Sequence, residues 1–116
     1  MLARYLPMRR KPLKPYRGRE LDPKYLAWLR NQPCAVPGCT SHYIEAAHVG
    51  PRGFGVRCHD REAIALCAGH HRNRADAHHR LGKHFWKHHD LNRFDVIRDF
   101  NHRYETWIEC PTRICG

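Results

Sequence analysis

No run of apolar residues approaches the about 18 that a membrane-spanning helix needs, so the chain reads as having no membrane partner. The N-terminal stretch MLARYLPMRRKPLKPYRGR has no apolar h-region and no small-residue cleavage site, so it does not read as a secretory signal. Acidic residues are scarce, with 11 Asp+Glu against 21 Lys+Arg and a net charge of +10. That imbalance excludes a polycation-binding role and favours a polyanion such as DNA. No internal repeat is present, and 116 residues leave no room for two independent cores. What the chain has instead is six cysteines and 11 histidines. Without a signal, those thiols are expected in a reducing, cytoplasmic setting, where paired cysteines hold metal more often than they form disulfides.

The first 19 residues are basic and proline-punctuated, with no acid. They read as an extended arm, 1–19, whose Arg9, Arg10, Lys11, Lys14, Arg17 and Arg19 contact phosphates; a solubilising tail is the plainer alternative. Asp22-Pro23 is an N-cap followed by a first-turn proline, predicting a short helix to about Arg30 with Tyr25, Trp28 and Leu29 on its core face. Ile44, Ala46 and His48 alternate with Tyr43, Glu45, Ala47 and Val49, the period of a strand ending at Gly50. A glycine-rich loop over 50–55, which carries Arg52 as a further phosphate contact, is followed by a second apolar run, Ala63 to Leu66, leading into Cys67. Two amphipathic helices follow, broken near Asp90 to Asn92, and the spacing of Phe94, Ile97, Phe100, Tyr104 and Ile108 predicts that all five face the core.

Cys34 and Cys39 have four residues between them, Cys67 and His70 have two, and 27 residues separate the pairs. Two such half-sites beside turns predict a tetrahedral, structural zinc site of three thiolates and one imidazole. Cys110 and Cys115 repeat the first spacing and offer a second-ranked, all-cysteine alternative with Cys34 and Cys39. The chain end costs more entropy to fix, which places that alternative behind. Cys58 has no partner at ligand spacing, and His84, His88 and His89 read as a solvated basic face, although the first two sit i, i+4.

From Cys34 to Gly82 the chain reads CAVPGCTSHYIEAAHVGPRGFGVRCHDREAIALCAGHHRNRADAHHRLG. The order AAHVG, then Asp, then LCxxHH, then HHRLG resembles the HNH endonuclease family, in particular its small zinc-containing phage and prophage members, including those linked to recombination. The resemblance implies an α+β fold: a treble-clef-like ββα-metal core stapled by the zinc, with flanking helices, over residues 20–110 and followed by a tail, 111–116. It implies a metal-dependent endonuclease that hydrolyses DNA phosphodiester bonds, with His48 as general base, Asp60 as the brace of its loop (Glu62 the alternative), and His71 with a downstream histidine on a catalytic divalent ion (Mg2+, Mn2+, Ni2+ or Zn2+).

Many family members place those two histidines four apart on one helix, whereas position 75 here is Ala. On an unbroken helix His71 and His78 would lie about 10 Å apart along the axis. Either the chain loops out over 72–77, bringing His79 or, second, His78 back to His71, or Asp76 supplies the second ligand. Position 47, often an Asp or His in the family, is Ala. The rival expectation is a non-catalytic, zinc-stabilised nucleic-acid-binding module.

Overall fold

The computed structural model describes residues 20–51 and 58–109, and its order is helix, strand, strand, then three helices. The basic arm with Arg9, Arg10, Lys11, Lys14, Arg17 and Arg19, the loop residue Arg52, Cys110, Cys115 and the tail 111–116 lie outside the described residues. The architecture is a small mixed one, a two-stranded antiparallel sheet packed among helices, consistent with the α+β expectation.

Helix α1, Pro23–Leu29, begins where the sequence places its cap: the Asp22 side chain accepts a hydrogen bond from the Tyr25 backbone N–H. Tyr25, Trp28 and Leu29 are buried. Strand β1, Ile44–His48, pairs antiparallel with β2, Ala63–Cys67, so that Ile44 stands opposite Cys67 at one end and His48 opposite Ala63 at the other. All five β2 residues are buried, as expected of a strand covered on both faces. A 3-10 turn, Asp60–Glu62, leads into β2. Gly50 lies against it so closely that a Cβ there would stand 2.6 Å from that of Glu62, so no larger residue fits.

After β2 come a single π-helical turn, Gly69–Asn73, and three helices: α2, His78–Leu81; α3, His84–His88; and α4, Arg93–Glu109. Gly82 ends α2 at φ +55 and Asp90 turns the chain at φ 58 between α3 and α4. Phe100 and Tyr104 of α4 pack on the α1 aromatics, with the Tyr104 ring 5.2 Å from Tyr25 and 5.3 Å from Trp28.

The five-residue core stripe predicted for α4 is corrected at its ends: Phe94 and Ile108 are 51% and 43% exposed. A 17-residue helix is about 25 Å long. Each five-residue strand of the hairpin is only about 17 Å, so the helix overhangs what it covers.

Arg61 ties the turn to the cap of α1 and to α4. Its Nε donates to Asp22 at 2.8 Å, and Nη1 donates to Asn101 at 2.9 Å and Glu105 at 3.1 Å. Its guanidinium lies over the rings of Tyr25 and Tyr104, while Asn101 returns a bond to the Arg61 carbonyl. Among the described residues no helix is long and apolar enough to cross a membrane.

Candidate metal centre and histidine cluster

The turn at Pro33–Cys39 and the end of β2 bring Cys34, Cys39, Cys67 and His70 together, with one ligand atom of each within 4.8 Å of the others. Cys34 Sγ is 3.7 Å from His70 Nδ1, Cys39 Sγ is 3.7 Å from Cys67 Sγ, and Cys67 Sγ is 3.2 Å from His70 Nδ1. A tetrahedron built on Zn–S bonds of about 2.3 Å and Zn–N bonds of about 2.0 Å has edges of roughly 3.5–3.8 Å. The donor set therefore fits a metal such as zinc in both chemistry and spacing. The backbone holds it: Ala35 N–H donates to Ala65 C=O, fixing the first turn beside β2, and His70 N–H donates to Cys67 Sγ.

Burial pushes the Cys34 thiol up to about 12. At Cys67 burial acts the same way but is outweighed by hydrogen bonds from the His70 and Gly69 backbone and the neighbouring thiols, so its pKa falls below the ordinary thiol value. Of Cys34 and Cys67, it is Cys67 that more readily offers a thiolate. Burial also lowers the pKa of His70, which favours the neutral imidazole a metal requires. Cys58 is buried outside this cluster.

At the opposite end of the hairpin, His48 Nε2 lies 2.8 Å from Asp60 Oδ1, with side chains only 11% and 5% exposed. The other Asp60 oxygen accepts the Asp22 backbone N–H at 2.8 Å. Asp60 is thus fixed by α1 as well as by its own turn. With the proton on Nε2 directed at the carboxylate, Nδ1 carries the lone pair.

His71 and His79 come together across the break in the helix. The π turn closes with Arg74 N–H donating to Gly69 C=O, the chain runs extended at Arg74 and Ala77, and His78 starts a new helix. The His71 and His79 rings are then 4.5 Å apart between centroids. His78 turns elsewhere, against Phe85 and Trp86 at 5.4 and 5.8 Å. Asp76 pairs with Arg74 at 2.8 Å. Among the described residues, no group of three metal-ligand atoms within 4.8 Å includes His48, His71, His78 or His79.

Glu45 is the residue that spacing did not single out. His71 Nδ1 donates to its Oε1 at 2.6 Å, and Arg72 grips both oxygens at 3.0 and 2.6 Å. The hydrogen bond from Arg72 leads in holding the Glu45 carboxyl at about 2. A permanently charged acceptor on Nδ1 fixes the His71 tautomer with the lone pair on Nε2. The available signal was an acid in the middle of the apolar part of the strand IEAAH.

No family model matches the chain. Over 60 residues, 49% of its length, it is 37% identical to a protein of Escherichia coli (strain K12) described as the uncharacterized protein YdfU. That match covers 17% of the bacterial protein. No solved structure matches.

Proposed function

We propose that the chain is a metal-dependent DNA endonuclease of the HNH type, built on a treble-clef-like core in which zinc at Cys34, Cys39, Cys67 and His70 is structural. The observation that carries this reading is the juxtaposition of His71 and His79 across a broken helix, 4.5 Å apart, with Glu45 fixing the His71 tautomer. These two imidazoles would hold a divalent cation, and two protein donors leave positions for water and substrate. Such a cation, when bound, acts as a Lewis acid on phosphate oxygens and stabilises the developing negative charge. His48, oriented by Asp60, takes the proton of the attacking water at Nδ1, as an imidazole near neutral pH is suited to do. The net charge of +10 supplies the affinity for the DNA backbone.

One observation favours the second reading, a zinc-stabilised module that binds nucleic acid without cutting it: two imidazoles are a sparse donor set, and among the described residues no third ligand atom joins His71 and His79. Plasmid cleavage across Mg2+, Mn2+, Ni2+ and Zn2+, with His48→Ala alongside, separates the two. The nuclease reading expects cleavage by wild type in at least one metal and a loss of about 100-fold or more in the variant. Binding without cleavage in every metal establishes the second reading instead.

A further inference from the structure

Outside both clusters, a third set of metal-competent side chains converges: one ligand atom each of Asp76, His88 and His89 lies within 4.8 Å of the others. We propose that these three residues form a further divalent-metal site of one carboxylate and two imidazoles, suited to Zn2+, Co2+ or Ni2+. It is independent of the hydrolytic reading.

Consecutive residues on a regular helix point about 100° apart and do not share a ligand. Here α3 ends at His88, and His89 leaves helical geometry at φ −97, ψ 7, so the two rings stand 4.8 Å apart between centroids. The i, i+4 pairing of His84 with His88 is not the one the fold uses. His89 is already oriented: its ring packs at 4.5 Å from Phe85 and 5.4 Å from His70, and Nε2 donates to the Asp76 carbonyl at 2.9 Å. That bond holds the loop carrying Asp76 against the end of α3, and a cation taken at Nε2 displaces its proton to solvent.

The carboxylate is divided in a useful way. Oδ1 takes Arg74 Nε at 2.8 Å, whereas Oδ2, 3.9 Å from His89 Nε2, meets Arg74 Nη2 at a longer 3.5 Å. Oδ1 can stay with Arg74 while Oδ2 turns to a cation. Asp76 is half-buried and His88 is exposed, so an ion reaches the site from solvent. Two imidazoles with one carboxylate suit borderline transition metals, whereas Mg2+ demands oxygen ligands.

The test uses the full chain carrying one equivalent of Zn2+, titrated with Co2+ and followed by equilibrium dialysis and visible absorption. Wild type is expected to bind one more Co2+ than either His88→Ala or Asp76→Asn, with weak d–d bands and no sulfur-to-cobalt charge transfer in that increment. His71→Ala is expected to keep this increment, which separates it from any ion held by His71 and His79. Excess Mg2+ is expected not to displace it. Because His88 is exposed, its variant keeps the wild-type melting temperature and is the decisive arm. Equal Co2+ binding by wild type and His88→Ala, or loss of the increment in His71→Ala, overturns the proposal.

Discussion

The two ends of the hairpin use histidine in opposite ways. Beside Cys67, His70 completes a set of four buried or half-buried donors whose separations match the edges of a closed tetrahedron, leaving no room for a substrate. Beside Ala63, His48 is paired with a carboxylate, while the His71 and His79 rings meet away from that end, with Glu45, opposite Leu66, behind His71. A closed donor set is a staple; an incomplete one can bind something else. The difference teaches that ligand count and partner identity, rather than the presence of histidine, would divide structural from reactive positions on the proposed reading.

The comparison breaks most decisively at the staple. Chelation, or Cys67→Ala, is expected to abolish the cooperative thermal transition, because a structural zinc contributes on the order of 10 kcal/mol to folding in small domains. Circular dichroism with elemental analysis checks it, and an unchanged melt after complete metal removal would show that the four donors are not a staple.

At the other end the effect is smaller and falls on stability through a different cause. His48→Ala leaves the buried Asp60 carboxylate with one bond fewer and is expected to cost about 1–3 kcal/mol. His48→Gln, which retains a donor for Asp60, is expected to recover most of that stability while still losing cleavage. Denaturant melts of both variants, with metal content unchanged, measure the difference; equal destabilisation would mean that Asp60 does not depend on this hydrogen bond.

Glu45→Gln sharpens the contrast between a ligand and the residue that orients it. On the nuclease reading it is expected to lower cleavage about 10- to 100-fold with the Cys34–Cys39–Cys67–His70 metal retained. Its pH signature follows from the depressed carboxyl. Folded Glu45 titrates at about 2, below its unfolded value, so its stabilisation is complete above the ordinary carboxylate range and disappears as pH falls through about 2. Melting temperatures of wild type and Glu45→Gln are therefore expected to differ at neutral pH and to converge near pH 2. A constant gap would place the stabilisation elsewhere. The smallest effect is expected far from either end: Phe94→Ser, at an exposed position on α4, changes stability by no more than about 0.5 kcal/mol in the same melts.

Much of this was legible in the chain because local spacing carried it. Asp22-Pro23 announces α1, the alternation around His48 announces β1, and the CxxxxC and CxxH spacings announce a metal cluster, since turns bring residues so placed together whatever surrounds them. Other features depended on distant packing. Phe94 and Ile108 share the periodicity of Phe100 and Tyr104 but overhang a short sheet, and no period reveals where a neighbour ends.

What the sequence determined by itself was the inventory: an excess of positive charge, two ligand half-sites, a strand ending in histidine, and a histidine-rich segment whose spacing cannot serve one ion on a straight helix. Only the tertiary structure decided which histidine met which partner. The π turn and the extended residues after it set His79 rather than His78 beside His71, the β1 register put Glu45 under that ring, and the end of α3 placed His88 and His89 against Asp76. The physical reason is common to all three: each contact joins residues on different elements, so it exists only once packing has fixed where one element stops and the next begins.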